Sequence, residues 1–284
     1  MSDNAPPEPH GVFARFARTT PPWLFAGLLT LIVVAGEELF DTLGGYERLA
    51  LALGVSLVAE WVFSWLFAGR RGNTISAYIT GNSVVVLTKP AAGLLWPFML
   101  GPLIAIASKF ALRYRGQHLW NPTNLSFSVL LLVAPGSVAL LSHQWGNQLW
   151  VSAVLISLGF FIAGKARLLH ISLSYALAFV VLAGFRAWLL DVPFRGELAP
   201  ITGPVGILFT FFMLTDPKTV VKARGDRVRV VLIIALVECA IRLADEVHWP
   251  ILRPLLAAPP IFALAIVGPL AKIWDLRRRT RVAA

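Results

Sequence analysis

Cysteine is almost absent from this chain: Cys239 is the only one in 284 residues. A lone thiol excludes a disulfide framework and any iron–sulfur cluster held by four cysteines of this chain alone. Histidine is also scarce. His10, His118, His143, His170 and His248 all avoid the centres of the apolar runs, so no haem clamped between two helical histidines is expected. Charge is thin: Asp, Glu, Lys and Arg together make up 14% of the chain, against about a quarter in a soluble domain. No phosphate-binding glycine loop, metal-ligand cluster or nucleophile constellation is visible. What the chain has instead is apolar sequence, 57% hydrophobic residues with a mean hydropathy of +0.72. It reads as a polytopic, all-α membrane protein. The net charge of +10 falls between apolar runs, as in the inward loops of membrane proteins, and does not point to nucleic acid.

A bilayer core needs about 20 helical residues, and on that measure ten candidate spans appear. They cover residues 22–36, 48–68, 76–88, 91–112, 125–141, 149–164, 169–189, 201–215, 230–244 and 251–271. The third and eighth are short and contain Thr-Gly pairs, which suits half-helices or re-entrant segments. With a cytoplasmic N-terminus, one side collects Arg15, Arg18, Arg70, Arg71, Lys109, Arg113, Arg115, Lys165 and Arg167. The same side then takes Lys218, Lys222, Arg224, Arg227, Arg229, Lys272, Arg277, Arg278, Arg279 and Arg281, which leaves six of the 25 basic residues for the other. One missed span would invert every later loop, so this bias favours ten crossings with both termini inside an inner (cytoplasmic) membrane. The expected organisation is an N-terminal cytoplasmic segment 1–21, five-helix halves 22–141 and 142–271, and a basic tail 272–284. Segment 1–21 shows no cleavable signal pattern; its Val12–Ala17 stretch reads as a surface-lying helix or a plain basic flank. Trp23, Trp96, Trp120, Trp145, Trp150, Trp249 and Trp274 fall near span ends, the pattern of an interfacial belt.

Two polar strings interrupt the apolar sequence: His118-Leu-Trp-Asn-Pro-Thr-Asn124 and Leu214-Thr-Asp-Pro-Lys-Thr219. Asn, Asp and Pro beside a lipid-buried helix are costly unless the backbone breaks there and its freed polar groups line a site. The halves also echo one another. Ile79-Thr80-Gly81 leads into Leu87-Thr88-Lys89-Pro90, and Ile201-Thr202-Gly203 into Leu214-Thr215-Asp216-Pro217. An offset of five spans gives the two halves opposite orientation, as in inverted repeats that build a site near the midplane.

The candidate ligand- or cofactor-binding residues are Thr80, Gly81, Asn82, Lys109, His118, Asn121, Asn124, Thr202, Gly203, Thr215, Asp216 and Lys218. Lys109 and His118, with Arg113 and Arg115, either attract a phosphate or acidic partner or serve as positive-inside anchors. Asn124 either caps the fifth span or contacts ligand, and Asp216 is expected to pair with Lys218 or Arg115. Thr80, Asn82 and Thr202 offer hydrogen bonds at expected helix breaks. Glu60 and Glu238 stand in apolar surroundings, where a carboxylate costs roughly 2.5–3.5 kcal/mol on insertion scales. Glu238 has Arg242 four residues on, so the three are either a neutralised structural set or an ion relay. Asn121 and Asp216, each next to a proline, are expected to meet at one central site despite their separation.

Ile104-Ala-Ile-Ala-Ser-Lys109 followed by Arg115-Gly-Gln-His118-Leu-Trp-Asn121-Pro-Thr-Asn124 resembles the lysine, glycine-x-histidine and asparagine-proline signature of the RnfD/NqrB family. Those proteins are membrane subunits of ion-translocating electron-transport complexes. His170-Ile-Ser-Leu-Ser174 and Phe211-Phe-Met-Leu-Thr-Asp216-Pro-Lys-Thr219 are similar to that family's second half, so the resemblance covers about residues 74–245. It implies two inverted five-helix halves in a urea/ammonium-channel-like fold, a flavin or quinone site, and partner redox or membrane subunits. The family's Ser-x-Ala-Thr flavinylation motif is missing, since Leu141-Ser-His-Gln-Trp-Gly-Asn147 occupies that place. Covalent FMN is therefore not expected, and any FMN or riboflavin would be held non-covalently. In architecture the chain is similar to short relatives found with enediyne-antibiotic biosynthesis. The rival reading is a channel-like transporter of a small solute or ion on the same scaffold.

Overall fold

The computed structural model describes residues 22–69, 71–90, 93–135, 138–140, 149–246 and 253–283. Segment 1–21, the Leu141–Asn147 loop, His143, Trp145, His248 and Trp249 lie outside the described residues.

The chain is mostly helical. The helices are α1 (Pro22–Phe40), α2 (Tyr46–Ala68), α3 (Thr74–Leu87), α4 (Pro97–Ala111), α5 (Pro122–Val133), α6 (Leu149–Lys165), α7 (Leu169–Leu190), α8 (Phe194–Thr202) and α9 (Pro204–Leu208). A π-helical turn, Phe209–Met213, continues α9; α10 (Arg224–Glu246), α11 (Arg253–Leu256) and α12 (Pro259–Ala283) follow. Every expected apolar run contains a helix. Four helices, α1, α2, α7 and α12, are long and apolar enough to cross a membrane, and a fifth is obtained if α8 and α9 with its π turn count as one span bent by 58°. The shorter apolar helices α3, α4, α5 and α6 have 10–17 residues. The chain is thus a helical, membrane-embedded type of protein.

Local chemistry sets the helix ends. Asn73 caps α3 by accepting a bond from Ser76 N at 3.0 Å, and Asn121 caps α5 from Asn124 N at 3.0 Å, with Pro122 at the first helical position. Gly69, at φ 58°, closes α2 in the left-handed conformation that favours glycine. Between α1 and α2 the Glu37 carboxylate accepts from the backbone N–H of Leu43 at 2.6 Å and Gly45 at 2.7 Å. The bend between α8 and α9 depends on Gly206: a Cβ there would lie 2.7 Å from Ile201 Cα and collide with the Pro200 carbonyl.

Two short strand pairs complete the fold. β1 (Thr88–Pro90) pairs antiparallel with β4 (Val138–Leu140), Lys89 opposite Ala139. β2 (Arg113–Tyr114) and β3 (Gln117–His118) form a hairpin that sets Arg113 opposite His118. Its turn residues Arg115 and Gly116 sit at φ 51° and 75°, the two positive values that a tight two-residue hairpin turn requires.

α2 packs on α3 and α4, α1 on α3, α7 on α10, and α10 on α12. One apolar core runs through both halves, including Val33, Val85, Phe98, Phe127, Leu155, Ile171, Phe209, Ile234 and Phe262. The outer surface is apolar as well, with Trp61, Trp65, Leu177 and Trp188 exposed. Polar side chains such as Ser56, Asn82, Ser126, Arg186 and Glu238 are inside. That inversion of a soluble protein's pattern suits lipid as the surrounding solvent. Trp120 departs from the expected belt: it is half-buried and donates from Nε1 to Ala265 O at 2.9 Å, pinning the start of α5 to α12.

Candidate functional site

A cavity of about 940 Å³ lies between α1, α3, α6 and the segment 208–219, with Lys109, His118 and the start of α5 at its side. The stripe of α3 that faces it follows helical spacing: Asn73, Ser76, Ile79, Thr80, Ser83, Val86 and Leu87. Apart from Ile79, that stripe is polar as far as Ser83 and apolar at Val86 and Leu87. The charged lining residues sit at helix ends: Lys109 in the last turn of α4, Lys165 at the end of α6 with Arg167 just beyond, and Asp216 and Lys218 after the π turn. Phe25, Leu29, Ile162, Leu208, Phe211 and Phe212 supply the apolar surface. Phe25 of α1 and Phe212 of the π turn meet across the cavity, their ring centroids 6.0 Å apart.

At the charged end, Asn121 Nδ2 donates to Asp216 Oδ2 at 3.3 Å. Asp216 also accepts from Lys218 N at 3.0 Å and Thr219 Oγ1 at 3.1 Å. The expected side-chain partners of Asp216 are corrected by these contacts. It binds the main chain of Lys218, and Arg115 instead donates to Leu276 O at 3.2 Å. The cap of α5 is likewise Asn121, not Asn124. Asn124 lies inside the helix, buried, and donates from Nδ2 to Ile261 O at 3.0 Å, which ties α5 to α12.

Lys109 is buried and forms an ion pair with Glu60 at 3.6 Å. Its Nζ also reaches Ser76 Oγ at 3.2 Å and Ser76 O at 3.3 Å, while Glu60 accepts from Asn73 N at 3.2 Å. Glu60 therefore holds the cation that lines the cavity. Glu238 lies elsewhere, between α7 and α10. It accepts from Arg242 Nη2 at 2.8 Å and Nε at 3.1 Å, and from the Tyr175 hydroxyl. The Arg242 and Arg186 guanidiniums both approach the Phe179 ring, 5.5 and 5.4 Å from its centroid, and Arg186 pairs with Glu197 at 2.5 Å. Both carboxylates are compensated, and Glu60 and Glu238 share no site.

Of the other candidates, Thr80, His118, Thr215 and Lys218 line the cavity. Thr80 and Thr215 spend their hydroxyls on carbonyls four residues back, Ser76 O and Phe211 O. Thr80 is within a continuous helix, not at a break. Gly81 faces α2, where a Cβ would stand 2.9 Å from Ser56 Oγ and 3.2 Å from Ala52 O, so it serves helix packing. Asn82 is fully buried beside it and donates to Tyr78 O at 3.1 Å. Thr202 and Gly203 belong to the α8–α9 bend and Thr202 is exposed, its hydroxyl on Ala199 O at 2.9 Å. The two Thr-Gly pairs thus occupy unlike surroundings.

His118 is half-buried on the rim, and its Nδ1 is enclosed with no hydrogen-bond partner among the described residues. Burial first, then the charges of Arg113, Lys218, Lys109 and Lys272, hold its pKa down at about 4, so the ring is neutral. Ser76, Ser83, Thr123, Lys165, Arg167 and Thr219 belong to the site without having been singled out for it. The helical period that Ser76 and Ser83 share with Thr80 is the signal that would have found two of them. No group of three or more His, Cys, Asp or Glu side chains suited to a metal ion occurs among the described residues. No family model and no curated protein matches the chain.

Proposed function

We propose that this chain is an RnfD/NqrB-like membrane subunit of an electron-transport assembly that holds a flavin non-covalently, or receives a quinone, in the cavity between its two halves. The cavity carries the reading. At about 940 Å³ it falls in the range of small-molecule sites, roughly 300–1,000 Å³. Its chemistry is graded: cations at one end for a phosphate, hydrogen-bonding side chains next, and an apolar remainder for a fused ring system. Asn121 has both donor and acceptor atoms, and ionised Asp216 accepts only. Together with Ser76 and Thr80 they offer the complement of an imide edge. Lys109, fixed by Glu60 and Ser76, and Lys218 hold negative charge at the cavity's charged end. When bound, a flavin accepts and passes on electrons. The protein's own contribution is to bind, orient and shield it.

The ten-span, inverted-repeat arrangement is part of this proposal. The expected runs each hold a helix, and helices too short to cross alone suit tilted or interrupted spans. Thr88 and Thr215, at matching places in the two echoed strings, both bond back to the carbonyl four residues earlier, Val84 O and Phe211 O. A channel-like role is the second reading, favoured by the 58° bend after Thr202 and the π turn. The apolar stretch at Val86, Leu87 and Leu208 weighs against a continuous polar path.

The test is the visible spectrum of the purified protein, before and after incubation with riboflavin or FMN. Flavin absorption that is released on denaturation is expected. A colourless protein that takes up neither compound would remove the flavin and leave quinone binding or transport to be examined.

A further inference from the structure

We propose a second binding site, for a phosphate-bearing anion, in the basic cleft on the far side of the His118–Lys218 wall. This cleft, of about 350 Å³, shares His118, Pro217 and Lys218 with the large cavity but is built mainly from the 216–227 segment and the C-terminal half of α12. Its cationic lining is Lys218, Lys222, Arg227, Lys272 and Arg279.

The cleft's charge is not balanced from within. Asp275 neutralises Arg279, accepting from its Nε at 3.1 Å, and also takes Lys222 N at 3.3 Å. Asp226 is used by Arg229 at 3.3 Å and Arg278 at 3.4 Å. Among the described residues no carboxylate lies within ion-pair distance of Lys218, Lys222, Arg227 or Lys272. Two of these cations are fixed by main-chain carbonyls: Lys272 Nζ donates to Lys218 O at 3.0 Å and Val220 O at 3.2 Å, and Arg227 Nε to Val221 O at 2.9 Å. Carbonyls orient a cation without cancelling its charge. Two fixed and two exposed like charges around one concavity repel, and a multiply charged anion relieves that repulsion while gaining charge-assisted hydrogen bonds. The cleft lies at helix ends, where basic pockets between membrane helices meet phosphate headgroups. The phosphate comes either from such a lipid or from a soluble diphosphate. The two sites share Lys218, whereas Lys222, Arg227, Lys272 and Arg279 line this cleft and not the large cavity.

The experiment uses the full chain in phosphatidylcholine nanodiscs, with the thermal midpoint followed in two arms: titration with inorganic pyrophosphate, and replacement of part of the lipid by cardiolipin. A saturable rise is expected in at least one arm. Pyrophosphate alone sufficing identifies a soluble ligand; a response to cardiolipin only identifies a lipid headgroup. Lys222→Gln combined with Arg227→Gln should raise the concentration needed by about tenfold or more, because each cation near a phosphate surface contributes on the order of 1 kcal/mol. Arg71→Gln, which removes one charge at an exposed position outside the cleft, should leave the response unchanged. If the double variant does not fold, Lys222→Gln alone, at an exposed side chain, carries the comparison with a smaller loss. No response in either arm, or an equal loss in Arg71→Gln, overturns the proposal.

Discussion

Asn121 Nδ2 and Asp216 Oδ2 meet at 3.3 Å although 95 residues separate them in the chain. Each stands beside a proline that prevents smooth continuation of a helix. The contact therefore joins two backbone breaks, the start of α5 in the first half and the end of the π turn in the second, at the charged end of the cavity. Asn121 serves two functions at once, because its Oδ1 caps α5 while its Nδ2 holds Asp216.

That division of labour separates stability from binding. Asn121→Ser keeps an oxygen for the cap but removes the amide donor; it should lose ligand or flavin affinity with little change in detergent stability. Asn121→Ala removes both and should cost about a further 1 kcal/mol of stability. Asp216→Asn should resemble Asn121→Ser, and the two together should weaken binding less than additively, since either change disables the pair. Unchanged affinity in the folded fraction of all these variants would reduce the contact to helix-end architecture.

Glu60 and Lys109 should behave as a unit. Both are buried and 3.6 Å apart, so Lys109→Met leaves a carboxylate without its counter-charge. Breaking a buried pair on one side typically costs about 3–5 kcal/mol, whereas replacing both members by neutral groups is often nearly free. Lys109→Met is expected to lower the thermal midpoint strongly, and Glu60→Gln with Lys109→Met to restore much of it. If the double variant is as unstable as the single one, the pair is not what holds α2, α3 and α4 in register. Ligand affinity should fall in both, because both lose the cation.

How far these features were legible depends on the distance over which each one acts. Glu238 and Arg242 are one helical turn apart, and spacing alone pairs them. Asn121 and Asp216 were accessible because each is flagged by its own proline. Glu60 and Lys109 lie on different helices, and no periodicity connects them; neither does any connect Tyr175 with Glu238. Gly81 and Asn82 look like a helix break in sequence, yet α3 runs straight through them because Gly81 gives up its side chain to let α2 approach. Sequence alone also favours a cap of α5 three residues too late, at Asn124, for a related reason. Asn121 and Asn124 are equally good caps by type, and only Pro122 at the first helical position distinguishes them.

His118 should impart a pH dependence of definite sign. Its ordinary pKa is about 6.5, and in the folded protein it is held at about 4. Between these values the unfolded chain binds a proton that the folded chain refuses, so stability falls as pH drops from about 6.5 to about 4 and is flat above about 7. The ring is partly open to water, so about 1–2 kcal/mol is expected, less than the full shift would give. His118→Gln should flatten the slope of thermal midpoint against pH over that interval. An identical slope in the variant would assign the dependence to other groups.

Sidedness tests the ten-span arrangement most directly. In that arrangement Gly225, at the start of α10, faces the cytoplasm, and Val192, between α7 and α8, faces the opposite side. Both positions accept a cysteine: Gly225 has open space where a Cβ would stand, and Val192 is exposed. Cys239 is buried in α10, and replacing it with alanine removes the background thiol. In right-side-out vesicles a membrane-impermeant maleimide should then label Val192→Cys and spare Gly225→Cys until the membrane is opened; inverted vesicles should reverse the order. A single crossing, α8 with α9 and its π turn, separates these two positions. Labelling of both from the same side would therefore mean that the bent segment is re-entrant. Every basic loop after it would change sides, and the positive-inside bias that supports ten crossings would be lost.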